Sequence, residues 1–533
     1  MSKSYIFTEI KKQIPLRYLY GLALVFSIVL WSSCRNDFET VPSTGNLEFS
    51  QDTIFLDTVF TNIGSSTRTL KVYNRSSEDI NIPTIQLSEG ESSNYRLNVD
   101  GIPGKTFQNI NILANDSIFI FVETTIDINN YPNPNNSFLY TDQIVFDSGD
   151  NTQDVDLVTL VQDAVFLFPE QFADGTIETL NLGTEEEPIL IEGFYLEDDQ
   201  LNFTNEKPYV IYGYAAVAPN KTLTVDAGAR IHFHRDSGIL VANTGSMKVN
   251  GTPSSDPELM ENQVIFEGDR LEPSFSYIPG QWGTIWLTAG STNHEFSYTT
   301  IKNSIVGILM DSNDGDRTLT LKNVEIFNTS STGLLARTGD VYGENVIINN
   351  SGQTSLSCSL GGKYNFIHST FANYWTNNFR LFPSVAIDNV LQVSETEFVT
   401  SDLIEANFTN CIIYGNERRE LIFVEDDNAA FNFNFKNSLI RFEDPNGDFE
   451  DDSNYDFTNE SLYTNIVRNQ DPTFFNTNLN DFNIETNVSG ADGIADPSSA
   501  STVPFDANGT SRTGASPDAG AYESIVFPEE GQE

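Results

Sequence analysis

Apolar and polar residues alternate in short runs along almost the whole chain, and the runs are broken by glycine, asparagine or aspartate. Seven such runs fall between residues 47 and 162: Ile54 to Phe60, Thr69 to Tyr73, Ile82 to Leu87, Tyr95 to Val99, Ser117 to Ile126, Gln143 to Phe146 and Val155 to Val161. Clusters such as Asn74-Arg75-Ser76-Ser77 and Asp147-Ser148-Gly149-Asp150 separate them. Strands at these intervals, with no helical period between them, predict a two-sheet β-sandwich over residues 47–162. Residues 163–207 read as a connector with a first coil or cap.

From Pro208 onward the rhythm changes. Tyr209 to Tyr214, Leu223 to Phe233, Gly238 to Val241 and Met247 to Thr252 are brief strands punctuated by single glycines. One motif then recurs, as Thr300-Ile301-Lys302-Asn303, Glu325-Ile326-Phe327-Asn328, Val346-Ile347-Ile348-Asn349 and Thr370-Phe371-Ala372-Asn373. The anchors Ile301, Ile326, Ile347 and Phe371 stand 25, 21 and 24 residues apart. A period in this range marks a solenoid, because one repeat cannot bury its apolar face without a neighbour. The regularly spaced leucines of leucine-rich repeats are missing, so each repeat is read as one coil of a parallel β-helix spanning 208–445, with 446–533 as a C-terminal capping segment. Asn303, Asn328, Asn349 and Asn373 would form a structural ladder at a tight turn, where amides bond along the stack and tolerate a left-handed backbone. Gly307 and Gly333 supply the next bend. After Phe371 the pattern thins to Cys411 to Asn416 and Ser438 to Ile440.

The N-terminus is of another kind. Lys3, Lys11, Lys12 and Arg17 precede an apolar run from Tyr18 to Trp31, which leads through Ser32 and Ser33 into Cys34. A basic start, an apolar middle and small residues before a cleavage point describe an export signal over residues 1–33. Leu30-Trp31-Ser32-Ser33-Cys34 resembles a lipoprotein signal, which implies lipidation of Cys34 and a tether over 34–46. Trp31 departs from that pattern, standing where an aliphatic residue is usual. Arg35-Asn36-Asp37-Phe38-Glu39 resembles the acidic sorting signal of Bacteroidetes surface lipoproteins, which implies a lipid-anchored, surface-exposed position on the outer membrane.

Charge narrows the choice of partners. The chain carries a net charge of −47, and without residues 1–33 it holds 24 basic against 74 acidic groups, a net of −50. Such a field repels nucleic-acid phosphates and anionic lipid, and it opposes polyanionic glycans unless a local basic patch or bound calcium reverses the sign. Besides Cys34 there are only Cys358 and Cys411, expected on different sheets as buried free thiols.

Further motifs tie the segments to known groups. Asp57-Thr58-Val59-Phe60 with Leu70 to Asn74 resembles the immunoglobulin-like domains that precede larger modules in Bacteroidetes lipoproteins. Asp52-Thr53-Ile54, Asp57-Thr58-Val59 and Asp116-Ser117-Ile118 resemble the O-glycosylation motif of that phylum. Gly280 to Trp286 and Gly361 to Trp375 resemble the right-handed parallel β-helix repeat lipoproteins of Bacteroidetes, relatives in fold of pectate lyases. Asp481 to Ile484, Asp506 to Arg512 and Pro517 to Glu523 resemble the closing segment of that group. The implied architecture is all-β, an immunoglobulin-like sandwich followed by a right-handed parallel β-helix. That fold carries lyases, hydrolases and adhesins alike, so the resemblance implies location more firmly than activity.

The expected role is a non-catalytic recognition or adhesion scaffold for glycans or cell-surface proteins. A polysaccharide lyase or glycoside hydrolase is the alternative, and a structural spacer the third. A lyase would need a cation or basic groups such as Arg317 and Lys322 near carboxylates, and a hydrolase two or three converging carboxylates. Oxygen donors at Asp311, Asn313, Asp314 and Asp316 suggest a Ca²⁺ loop, although the EF-hand spacing is not met. Glu443 to Asp448 with Glu450 to Asp452 form a second candidate loop. His232 and His234 share a strand face without the further Cys or His that zinc needs. Counting by twos from Ile285 and Leu287 turns Trp282 and Trp286 outward, as a platform for sugar rings. Tyr374 and Trp375 are candidates for the same role.

Overall fold

The computed structural model describes residues 40–131, 136–256, 258–311, 317–394, 396–512, 514 and 516–528. Cys34 and the segment before it lie outside the described residues, as do Asn313, Asp314 and Asp316. The protein is all-β, with 48% strand and no helix of seven or more residues among those described. It divides into two compact units, Met1–Asp127 with Leu139–Leu160, and Ile128–Phe138 with Val161–Glu533.

Two sheets build the first unit. In one, Ile80–Leu87 pairs with Val41–Pro42, Thr106–Ile112 and Ser137–Phe146; in the other, Ser117–Thr124 lies between Arg68–Tyr73 and Tyr95–Val99. Alternation sets which side chains are buried: Leu70, Val72, Ile120 and Val122 are buried while Phe119 and Phe121 between them are exposed. Tyr95 bridges the sheets, its ring 5.1 Å from Tyr140 and its hydroxyl 3.0 Å from Thr159 Oγ1. Thr53, Thr58 and Ser117 of the Asp-Ser/Thr motifs are half-buried.

In the second unit the chain keeps returning to pair, parallel and in register, with the strand one pass earlier. An 18-stranded sheet runs from Val165–Leu167 to Val467–Arg468, and a 10-stranded sheet from Thr179–Asn181 to Leu421–Val424. This ladder is wider than the 208–445 expected from sequence. Parallel neighbours stack like on like, so each inward position becomes a column. One column holds Tyr209, Ile231, Phe266, Ile301, Ile326, Ile348, Phe371, Ile413 and Ile440. All nine are buried, and a fully buried aliphatic or aromatic side chain contributes about 1.5–3 kcal/mol. A second column turns aromatic, with Phe408 and Phe435 4.8 Å apart and only 9° from parallel. One rung up, Gly343 makes room for Phe366, whose Cδ1 would lie 2.4 Å from a Cβ added there.

The register corrects one expectation. Ile326 pairs with Ile348, and Glu325 with Ile347, so Ile347 points away from the column. A strand read one residue out of step exchanges its two faces, and the doubled Ile347-Ile348 and Asn349-Asn350 hide that step. The amide ladder shifts accordingly. Asn328 Nδ2 donates to Asn303 Oδ1 at 3.3 Å and Asn350 Nδ2 to Asn328 Oδ1 at 2.6 Å. These three are left-handed, at φ +66°, +56° and +52°. Asn349 instead accepts from Tyr374 N and donates to Asn480 Oδ1. Asn373 bonds the backbone of Ser351 and Gln353. The spacing break after Phe371 is one long pass: Phe371 pairs with Ile413, and the inserted chain is held by Arg380, whose buried guanidinium meets Glu420 at 2.6 Å.

A second left-handed corner divides the long strands, at Asn323, Asn345, His368, Asn410, Asn437 and Asn465. Past this corner the outward face is covered by the C-terminal segment: Phe482, Ala521 and Tyr522 pack on Ile347 and Ala372, and Ile484, Ala491 and Ala519 on Ile412 and Leu439. Buried Arg512 ties the segment down, donating to Gly520 O and Asn345 Oδ1 and pairing with Glu523.

Two predictions follow from the stack and its corner. Phe408→Ala should lower unfolding stability by about 3–5 kcal/mol in denaturant titration. Burial pushes the His294 imidazole down to about 3 and that of His368 to about 2. A depressed imidazole lends stability that is complete above its unfolded value, about 6.5, and is lost as pH falls below it. His368→Asn places the residue of the neighbouring corners in the same left-handed turn. Its melting temperature should match the native protein above about pH 7 and fall less on acidification to about pH 5.

Candidate carbohydrate-binding face

The part of the ladder before the second corner presents an uncovered polar face. Strands Leu319–Thr329, Asp340–Ser351, Gly362–Ile367 and Leu403–Thr409 place alternate residues there. One outward column runs Thr320, Tyr342, Asn365, Asn407, and the next begins Ser297, Lys322, Glu344. Adjacent rungs of a sheet lie about 4.8 Å apart, so these side chains meet without any loop to position them.

Their contacts form two linked groups. Lys322 Nζ lies 2.9 Å from Glu344 Oε1, and the Tyr342 hydroxyl donates to Glu344 Oε2 at 2.7 Å. The Arg317 guanidinium sits 5.2 Å over the Tyr342 ring and 3.7 Å from Asp340, which Lys363 approaches from its other oxygen at 3.9 Å. Partial burial, reinforced by the Glu344 carboxylate, pushes the Tyr342 phenol up, so it remains a donor. In the second group Asn407 Nδ2 donates to Asn365 Oδ1 at 2.8 Å and to Glu405 Oε2 at 3.0 Å, while Asn365 Nδ2 donates to Glu405 Oε1 at 3.1 Å. Donors and acceptors are thus held in fixed pairs across neighbouring rungs of the sheet.

The four aromatic candidates lie elsewhere. Trp282 is fully buried, stacked 4.2 Å from Phe233 with Nε1 donating to Lys302 O. Strand Ile285–Leu287 starts only after Gly283 and Thr284, which belong to no strand, so a count by twos from Ile285 does not carry back to Trp282, which faces inward. Trp286 is half-buried, its Nε1 donating to Asp311 Oδ2 at 2.7 Å. Tyr374 lies 6.1 Å from Phe474 and 6.3 Å from Phe482, and Trp375 is buried with Nε1 on Asn378 Oδ1. No exposed indole pair therefore forms from these residues. Asp311, the one described member of the first calcium loop, spends its oxygens on Trp286 and Arg337. Among the described residues, no cluster of three or more His, Cys, Asp or Glu is arranged to hold a metal. Cys358 and Cys411 are buried free thiols, with burial pushing the Cys411 thiol up to about 12.

Sequence reading picked out Arg317 and Lys322 of this face and missed Tyr342, Glu344, Asn365, Glu405 and Asn407. Their signal is the alternation ahead of each Asn or His corner, as in Tyr342-Gly343-Glu344 and Asn365-Phe366-Ile367, which shows only when the strands are aligned on the second corner.

No family model matches the sequence, and no curated protein matches it. Solved structures with some likeness include the catalytic unit of a thermostable GH87 α-1,3-glucanase from Streptomyces thermodiastaticus strain HF3-3, at 12% identity over 75% of this chain and 88% of that one, with a TM-score of 0.26. A family 123 glycoside hydrolase from Clostridium perfringens shows 13% identity over 22% of this chain and 26% of its own, with a TM-score of 0.16. The E. coli chaperone DraB shows 12% identity over 24% of this chain and 58% of its own, also at 0.16. The chain thus spans about a quarter of that family 123 structure.

The burial of Trp282 has a measurable consequence. Trp282→Ala should cost about 3–5 kcal/mol of stability, and the half-buried Trp286→Ala less than half as much. Equal losses in thermal and denaturant unfolding would contradict the inward placement.

Proposed function

We propose that the protein is a surface-displayed, lipid-anchored scaffold of the outer membrane, an immunoglobulin-like domain followed by a right-handed parallel β-helix, and that it binds carbohydrate without cleaving it. The in-register parallel ladders support the helix reading. The basic and apolar N-terminus ending at Cys34 supports the anchor. The observation that carries the binding role is the preset array of Lys322, Tyr342 and Glu344 beside Asn365, Glu405 and Asn407. Because these groups already satisfy one another, they lose little freedom when sugar hydroxyls replace water at their open sides. Hydrolysis would require one carboxyl to deliver a proton to a glycosidic oxygen; Glu344 already accepts from Lys322 and Tyr342, and Asp340 lies between two cations, so recognition is favoured over cleavage.

The test is affinity electrophoresis in gels containing neutral polysaccharides. Tyr342→Phe combined with Asn407→Ala should abolish the retardation seen with the native protein while leaving the melting temperature within a few degrees. Retardation that survives both substitutions would remove this face from the role, and release of reducing sugar ends by the native protein would replace binding with catalysis. For the anchor, Cys34→Ser should shift the protein from the membrane fraction to the soluble one.

A further inference from the structure

We propose that Tyr212 and His234, the latter held by Asp269, floor a second ligand site, one that takes an amine-bearing saccharide. Ile211, Phe233 and Gly268 are successive partners in the ladder. The residue after each continues the pairing, since His234 N donates to Ile211 O and Asp269 N to Phe233 O, both at 2.9 Å. Three consecutive passes therefore put a phenol, an imidazole and a carboxylate side by side. The Tyr212 ring lies 4.6 Å from that of His234 at 28°, and Asp269 Oδ2 sits 2.7 Å from His234 Nδ1. That carboxylate holds the ring from its Nδ1 side, which leaves Nε2 for a ligand. His234 is half exposed and Asp269 only 14% exposed, an imidazole at the surface held from behind.

The imidazole opens on a cleft of about 530 Å³, lined also by Glu192, Tyr214, Asp236 and Ile305, a size suited to one or two sugar rings. Gly213 keeps it open. At φ +66° its missing Cβ would stand 3.4 Å from Glu192 Cγ and 3.1 Å from Glu192 O, so a side chain there would press on the acidic wall. Charge selects the ligand. Asp236 is matched by Arg235 at 3.2 Å and Asp269 by the His234 imidazole at 2.7 Å, while Glu192 forms no ion pair among the described residues. The Glu192 carboxylate in the cleft lining favours a cation. Burial pushes the phenols of Tyr212 and Tyr214 up, so both stay neutral. An ammonium on Glu192, a hydroxyl on His234 Nε2 and a ring face on the aromatic wall complete the fit. The site shares no residue with the polar face and stands or falls separately.

With only four histidines in the chain, ¹H–¹³C spectra of the imidazoles offer a direct readout. The probe is a glucosamine disaccharide titrated into the full chain, with the fully N-acetylated disaccharide as the matched neutral probe and His234→Gln identifying the resonance. The amine-bearing probe should move the His234 signal saturably and leave those of His294 and His368 in place. N-acetylation, or Glu192→Gln, should each weaken binding about tenfold or more. Tyr342→Phe with Asn407→Ala should leave it unchanged, which separates this site from the proposed glycan face. No saturable movement of His234 would overturn the proposal. So would equal affinity for the two probes, or full affinity in the Glu192→Gln protein.

Discussion

The register of the parallel ladder governs everything else in the second unit. Apart from shifts at Gly362/Lys363 and Leu403/Ala406, each pass pairs residue for residue with the one before, so inward side chains stack on inward ones and outward on outward. A slip of one position would carry the column of Ile301, Ile326, Ile348 and Phe371 to the surface and bring Lys322, Glu344 and Asn365 inside. The cost of desolvating those groups, added to the apolar area lost, leaves a single arrangement. The polar face is a by-product of the same constraint, since it is the other half of each strand's alternation.

Corners make that register persist across passes of different length. Left-handed asparagines turn the chain at the same point of successive passes, and the side-chain amides of Asn303, Asn328 and Asn350 bond along the stack. Length variation is then confined to what leaves and rejoins the ladder, as in the excursion between Phe371 and Ile413 held by Arg380 and Glu420. Where the outward face turns apolar, at Ile347, Ala372, Ile412 and Leu439, the C-terminal segment covers it. Where that face stays polar, it stays open.

Much of this was legible in the residues. Alternation located the strands of the first unit, and the recurring Ile-x-Asn element located the repeating passes, because both patterns record burial on one side of a strand. The doubled Ile347-Ile348 and Asn349-Asn350 could not be phased, since either residue of each pair fits the local pattern and only the neighbouring pass decides. Trp282 was misplaced because alternation does not carry across Gly283 and Thr284, which lie outside any strand. The second corner escaped notice because His368 interrupts its run of asparagines. Without that corner as a reference, Tyr342, Glu344, Asn365 and Asn407 remained scattered polar residues. The His234 and Asp269 pairing lies 35 residues apart in sequence and carries no local signal.

The most direct test of the stacked arrangement is disulfide trapping on the open face. Thr320 and Tyr342 are register partners, about 4.8 Å apart across a sheet, within the reach of a disulfide. In protein carrying Thr320→Cys and Tyr342→Cys, mild oxidation should form an intramolecular bond, read by thiol titration and peptide mass, without loss of melting temperature. Thr320→Cys with Glu344→Cys, two residues out of register, should not form it. Efficient cross-linking of the second pair and failure of the first would contradict the register on which both the core and the binding face depend.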